Sequence, residues 1–539
     1  MTPALTEASR RIRNTLKRGN SLQSYLTLFA AGCLSALGFA PLEAWPLTLA
    51  GLIWLLHRSW QAPALRAASA GAFVFGTGHF IVGLNWIAMA FTFQENMPAW
   101  LGWVAVILLS LYLSIFVALA AGFARICARR VPLAFVLWFA ASWILTEWLR
   151  ATLLTGFAWN PLAVIWVPLP WLAACAAGIG TYALSGLTVL LAGLAWLAVR
   201  ANFRVGLPVV VALAALLLVT GRARPAPAGP ESSLPFTVVQ PDIGQDQKYD
   251  PEQEERNSQR YVELSQRAAR ASDQHPRLLF WPEGATVHFI EIEPKPRLAM
   301  AQLLGPGDLL ILGGPSVILD MQGDDDVYHN SVFAVDEGAA IRWRYDKAHL
   351  VPFGEYLPLR SILGRIGLAR LVPGEGDFTP GPGARTYLLP GLRIAGQPAS
   401  VGVQICYEII FSGRVVDEAH RPSFLFNPSN DAWFGAWGPP QHLAQARLRA
   451  IEEGLPVIRA TPNGISAVIG PRGQLLATIE RHRAGVINAF MPLALPPTPF
   501  SRLGLWLSLL TGGVLAVLGT AIDQFRSRTR MRRMASTPG

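Results

Sequence analysis

Charged side chains and cysteine are both scarce in this chain. Only 15% of its 539 residues are Asp, Glu, Lys or Arg, whereas hydrophobic residues make up 52%. A typical soluble domain carries about 25% charged residues. The deficit excludes a chain made only of soluble domains and points to segments that meet lipid instead of water. Cysteine occurs four times. Cys33, Cys127 and Cys175 lie in or beside apolar segments, and Cys406 stands alone in the polar part. A disulfide within that part is therefore excluded, even in an oxidising compartment. His, Cys, Asp and Glu form no group with metal-ligand spacing, so neither a metal nor another cofactor is expected. The formal net charge is +10. No basic groove or stacking motif accompanies it, and a nucleic-acid partner is not expected.

What the chain has in abundance is apolar runs. About eight are long enough to approach a bilayer's thickness. They run from Leu22 to Phe39, Pro41 to His57, Ala67 to Phe93, Ala99 to Ala124, Pro132 to Leu149, Leu169 to Ala198, Val205 to Thr220 and Leu503 to Ile522. The first block is split at Pro41, where proline and the nearby Glu43 favour a hairpin turn over one long helix. Because many spans follow the first, the N-terminal region does not read as a cleavable signal peptide.

Orientation follows from the positive residues. Arg10, Arg11, Arg13, Lys17 and Arg18 precede the first span, and Arg58 and Arg66 follow the second. Arg125, Arg129 and Arg130 follow the fourth, Arg200 and Arg204 the sixth, and Arg526, Arg528, Arg530, Arg532 and Arg533 the last. These clusters share one side if the count is eight, and that side is then cytoplasmic. The opposite loops hold few basic residues, chiefly Arg150, with Arg222 and Arg224 after the seventh span. The expected organisation is a membrane part over residues 1–221, an outward-facing block over 222–500, and a last span with a basic tail over 501–539.

Inside the 222–500 block the pattern changes. A Pro/Ala/Gly stretch from Arg224 to Pro230 opens it, and Pro492 to Pro499 closes it. Short apolar runs that end in polar residues read as strands: Phe236–Gln240, Leu278–Trp281, Leu309–Leu312, Ser400–Ile405 and Ser423–Phe426. Pro251 to Ala271 and Gln441 to Glu453 read as helices. Alternating strands and helices predict a layered α/β domain.

Three of these strand ends carry a reactive residue. Glu283 ends Leu-Leu-Phe-Trp-Pro-Glu-Gly, Lys347 sits in Arg-Tyr-Asp-Lys-Ala-His-Leu-Val-Pro-Phe-Gly-Glu, and Cys406 ends Val-Gly-Val-Gln-Ile-Cys-Tyr-Glu. They are far apart in the chain, so only the tertiary fold can join them. As a trio they make chemical sense. A thiol needs a base to become a nucleophile, and burial can raise a carboxylate's pKa to suit that task. A neighbouring ammonium stabilises both thiolate and oxyanion. Singly, each has a plainer reading: Cys406 as an apolar filler, Glu283 as a helix cap, Lys347 as a surface lysine.

Taken in order, the three motifs resemble the nitrilase, or carbon-nitrogen hydrolase, superfamily. The similarity continues through Asn427–Phe434 and Gln445–Asn463. The resemblance implies an α-β-β-α sandwich, with Glu283 as base, Lys347 as oxyanion stabiliser and Cys406 as nucleophile. A domain of this kind between the seventh and eighth spans resembles the bacterial apolipoprotein N-acyltransferase family. Gly38-Phe39-Ala40-Pro41 with Trp45-Pro46, Asn85-Trp86 and Thr146-Glu147-Trp148-Leu149-Arg150 are also similar to that family. By the same resemblance Glu355, Tyr407 and Glu408 support the site. Glu355 and Glu408 act either as an ion-pair network around Lys347 or in proton transfer. Arg150 is a snorkelling helix end or a lipid phosphate contact. Tyr249 stands where the family tends to carry tryptophan, and is a lipid contact or a half-buried strand-end aromatic. His349 and His442 are given no catalytic role.

The function implied is acyl transfer from a phospholipid, through a Cys406 thioester, to the amine of a diacylated apolipoprotein. The implied setting is the bacterial inner membrane, with a monomeric, multi-pass chain and a periplasmic catalytic domain. Two rivals differ in class. A membrane-tethered nitrilase-type amidase needs only one anchor helix. A transporter with an accessory domain needs ionisable residues deep within several spans, and here Glu147, near a span end, is an exception.

Overall fold

The computed structural model describes residues 22–93, 98–128, 130–222, 231–248, 250–270, 276–319, 326–358 and 377–535. The N-terminal basic cluster, Arg129, the Arg224–Pro230 stretch and Tyr249 lie outside the described residues.

The apolar runs become helices. α1 spans Leu22–Ala36, α2 Trp45–Gln61, α3 Leu65–Gly83, α4 Trp100–Cys127, α5 Pro132–Arg150, α6 Ala176–Ala201 and α7 Phe203–Arg222. Proline occupies the first turn of α2 and α5, where its missing N–H costs nothing. The chain turns at Ala40-Pro41 between α1 and α2, as the proline predicts. Among the described residues, five helices are long and apolar enough to cross a membrane: α3, α4, α5, α6 and a C-terminal helix over Leu505–Arg526. α1, α2 and the described part of α7 are apolar but shorter. Two expected spans are also shortened. The third ends at Gly83 and gives way to one-turn helices at Ile87–Ala90 and Phe91–Phe93. The sixth starts at Ala176 and breaks at Gly180, whose φ of 80° no helix accommodates. The amide freed at Thr181 donates to Glu452 Oε1 at 2.6 Å.

The intervening block is the expected sandwich. One six-stranded sheet has the order β12-β1-β2-β3-β4-β5 and the other β11-β10-β9-β8-β7-β6. The first sheet is built from β1 (Glu231–Gln240), β2 (Leu278–Phe280), β3 (Leu309–Ile318), β4 (Val327–Asp336), β5 (Ile341–Asp346) and β12 (Gly485–Pro492). The second holds β6 (Thr386–Ile394), β7 (Gln397–Val403), β8 (Phe424–Pro428), β9 (Val457–Ala460), β10 (Ser466–Ile469) and β11 (Leu475–Ile479). β1, β2 and β3 run parallel, as do β7, β8 and β9.

Alternation sorts the side chains into layers. Val238, Leu278, Phe280 and Ile311 point between the sheets, where they meet Val401, Val403, Phe424 and Phe426. Their neighbours Val239, Leu279, Leu310 and Leu312 point outward onto Tyr261 and Leu264 of α8 (Glu254–Arg270). On the far side, Leu425 and Val457 pack with Leu443, Ala446 and Ala450 of α10 (Gly438–Glu453), which follows the short α9 (Pro294–Ala301). That outer layer is continuous with the membrane part: the same cluster holds Trp159, Leu162 and Trp166. α11 (Leu505–Ala535) then returns beside α5 and α6.

Candidate active site

All three candidate residues leave the ends of strands and converge. Glu283 lies just past β2, held by a Gly313 N–H that donates to Pro282 O at 3.1 Å. The approach is close: a Cβ at Gly313 would stand 2.7 Å from Glu283 Cα. Lys347 follows β5, and its backbone N–H donates to Asn330 O on β4 at 2.9 Å. Cys406 follows β7 and opens a one-turn 3₁₀ helix, Cys406–Ile410. Its φ of 49° lies in the left-handed region. For a residue with a Cβ this costs on the order of 1–3 kcal/mol, a strain that clusters at functional turns.

The charges around this turn are buried. Lys347 is 1% exposed. Its Nζ donates to Glu355 Oε1 at 2.9 Å and stands 3.6 Å from Glu283 Oε1. Asn330 Nδ2 bridges the two carboxylates, at 2.8 Å from Glu283 and 2.7 Å from Glu355. Glu283 Oε2 accepts from the Asn430 N–H at 2.7 Å, and Glu355 Oε2 from the Val351 N–H at 2.8 Å. Glu355 is thus Lys347's nearest counter-charge.

Glu408 does something different. It makes no ion pair with Lys347 but accepts from four groups on two segments. Tyr345 Oη, the Ala348 N–H and the His349 N–H reach its Oε1 at 2.8, 2.8 and 3.0 Å, and the Ile405 N–H reaches Oε2 at 2.7 Å. It ties the Lys347 loop to the Cys406 turn. Burial raises its carboxyl to about 7. Tyr407 points the other way, and its hydroxyl donates to Gly156 O in the membrane part at 3.2 Å.

The titration pattern corrects one expectation. Burial does push the Glu283 carboxyl up, but Lys347, then Lys248 and the hydrogen bonds from Asn330 and Asn430, outweigh it. The net shift is downward, not the raised value expected from desolvation alone. Burial pulls Lys347 down, yet Glu355 and Glu283 hold it above its ordinary value. The Cys406 thiol is driven well above the usual range by burial and by the Glu283 charge, which Lys347 only partly offsets. The resting site is therefore a carboxylate, an ammonium and a neutral thiol. Such a set suits proton transfer at the moment of attack better than a stored thiolate.

Arg150, read as a snorkelling helix end or a lipid phosphate contact, is turned inward. It is 3% exposed, donates to Trp159 O at 2.9 Å and lies 3.8 Å from Glu147. A charge at a span end gains more by pairing inward than by staying single in a low-dielectric setting. Arg150→Ala should leave Glu147 buried without its cation, at a cost on the order of 3 kcal/mol. A lowered thermal unfolding midpoint in detergent checks this, and an unchanged midpoint contradicts it.

Two contributors were not singled out in the sequence. Asn330 sits in a strand with no motif to mark it. Asn430 had a signal, since it lies within the Asn427–Phe434 segment.

The comparisons with known proteins fall on the same division. Residues 31–194 match the apolipoprotein N-acyltransferase N-terminal domain, and residues 237–495 match the carbon-nitrogen hydrolase family. An amidase from Nesterenkonia sp. AN1, solved with an acetamide moiety on its active site cysteine, aligns with 50% of this chain and 93% of its own, at 18% identity and a TM-score of 0.31. The apolipoprotein N-acyltransferase of Rhodopseudomonas palustris is 34% identical over 88% of this chain and 90% of its own length. That of Bradyrhizobium diazoefficiens is 36% identical over 89% and 91%. With a profile match on each half and relatives of this identity along nearly its whole length, the chain belongs to the apolipoprotein N-acyltransferase family, membrane-bound enzymes of the carbon-nitrogen hydrolase superfamily.

Proposed function

We propose that this chain moves an acyl group from a membrane phospholipid to the N-terminal amine of a diacylglyceryl-cysteine on an apolipoprotein. The observation that carries the reading is one buried thiol enclosed with a carboxylate and an ammonium, directly beside the membrane helices. In the first half-reaction Cys406 Sγ attacks the ester carbonyl while Glu283 takes the thiol proton. Lys347 stabilises the oxyanion, and that proton passes to the leaving alkoxide as a lysophospholipid departs. A thioester remains. In the second half-reaction the free amine attacks the thioester, Glu283 accepts the amine proton, and the proton returns to the departing sulfur. An amide forms and the thiol is restored. A thioester suits this task because it reacts readily with amines.

The reading places the enzyme in the inner membrane as a monomer. The five long helices and the three shorter apolar ones together make eight crossings, with the 222–500 block in the periplasm. Tyr249, in this reading, meets lipid, whereas Arg150 acts through its pairing with Glu147 and Trp159 O. Intact-mass analysis after incubation with a phospholipid of defined chains should show one acyl mass, mapped to Cys406. An unmodified protein that still yields product would sink the thioester. On topology, a C-terminal reporter should be active only in the cytoplasm, and periplasmic activity would show the crossing count to be wrong.

A further inference from the structure

Beneath the Cys406 turn lies a closed polar triad that the reaction as described does not use. Asp431 follows β8, His442 lies on α10 and Arg459 on β9. All three side chains have no exposure. His442 Nε2 lies 3.0 Å from the carbonyl oxygen of Cys406. A carbonyl only accepts, so Nε2 carries the proton. On the other side of the ring, Nδ1 is 3.1 Å from Arg459 Nη2 and 3.1 Å from Asp431 Oδ1. Arg459 Nη2 also donates to both Asp431 oxygens, at 2.7 and 2.8 Å. Burial, and after it the Arg459 charge, lower the proton affinity of His442. The Nε2 proton is thus committed to the Cys406 carbonyl, while Nδ1 faces Arg459 and Asp431.

The ring is also held by the membrane part. The Trp159 ring centroid lies 5.2 Å from that of His442, and Trp159 Nε1 donates to Gln441 Oε1 at 2.8 Å. Phe434 closes another side at 5.8 Å, and Trp86 lies tilted against Trp159 at 4.5 Å. The imidazole has no room to turn away.

We propose that His442 is a positioning residue for the nucleophile: its Nε2–H holds the Cys406 carbonyl and keeps the turn in the left-handed conformation that sets the sulfur beside Glu283 and Lys347. Arg459, itself anchored on Asp431, and Trp159 hold the ring in place. This rests on Cys406 being the nucleophile.

The test uses the full-length protein in detergent. His442→Gln places an amide N–H near the position of Nε2. His442→Phe keeps the ring volume and loses the donor. The first readout is Cys406 acylation by a synthetic phosphatidylethanolamine at several concentrations. The Phe variant should lose about tenfold or more in the saturating rate while the half-saturating lipid concentration stays within about twofold, and the Gln variant should recover most of the loss. A Phe variant as fast as the parent overturns the proposal, as does a Gln variant as slow as Phe. The second readout is alkylation of Cys406 by iodoacetamide, which needs no phospholipid chemistry. If the parent is alkylated but never acylated, the thioester reading fails. The alkylation rates of the two variants then decide the positioning role by the same order.

Discussion

The Cys406→Ala protein is expected to form no acyl-enzyme and no triacylated product, while folding and inserting as the parent does. Alanine at this position removes one sulfur and keeps the Cβ, so the left-handed turn and its strain stay as they are. The chemistry has no substitute. Among the described residues, the other cysteines lie in the membrane part, two half-buried and one exposed, and none adjoins Glu283 or Lys347. Serine at Cys33, Cys127 or Cys175 should therefore leave turnover close to that of the parent. The measurement is product formation by mass spectrometry with purified protein, phospholipid and a diacylated lipopeptide. Turnover by Cys406→Ala above a small fraction of the parent rate would refute nucleophilic catalysis at this position.

The second large effect is expected at the two charges. Glu283→Gln keeps the shape that accepts the Asn430 N–H and loses basicity. Lys347→Met keeps most of the stem and loses the ammonium. Each should slow thioester formation itself by on the order of a hundredfold or more, the scale for removing a base or an oxyanion donor. Lys347→Met should be the worse of the two. Without its cation, Glu283 and Glu355 face each other across Asn330, and one of them takes up a proton. If that proton settles on Glu283, the base is lost as well. A time course of Cys406 acylation separates the cases. If Glu283→Gln acylates at the parent rate and fails only when the amine is added, Glu283 is not the base for the thiol.

Much of this arrangement was legible in the sequence because it depends on local signals. Strand ends such as Leu278–Trp281 and Ser400–Ile405 were visible from apolar runs that stop at polar residues, and Cys406 stood out because no other cysteine shares its block. The sequence marks a helix over Gln441 to Glu453, yet it starts three residues earlier, at Gly438, since Pro439 and Pro440 look like a loop until they occupy a first turn. What escaped depends on distant parts meeting. The downward shift at Glu283 needs Lys347, Lys248 and two asparagines, one on β4 and one past β8, and no window of sequence contains them. Arg150 closes α5 where the sequence suggests the loop beyond it, and its inward turn depends on Trp159 O and Glu147. Beside a carboxylate that can serve as base, the sequence gives His442 no evident role. Its value lies in a bond to the backbone of the nucleophile, which a motif cannot display.

The outer layer of the sandwich has a consequence for any attempt to free the catalytic half from its anchor. α10 turns Leu443, Ala446 and Ala450 into the same apolar cluster as the membrane helices, and Glu452 on that helix caps the break at Gly180. A protease cut or an engineered truncation that released residues 231–498 would bare this greasy flank to water and strand Glu452 without Thr181. The fragment should clump instead of dispersing, and its thiol would lose the tryptophan that braces the helix behind it. The tether is thus part of the tool: an enzyme of this design cannot be shed from its membrane as a roaming hydrolase.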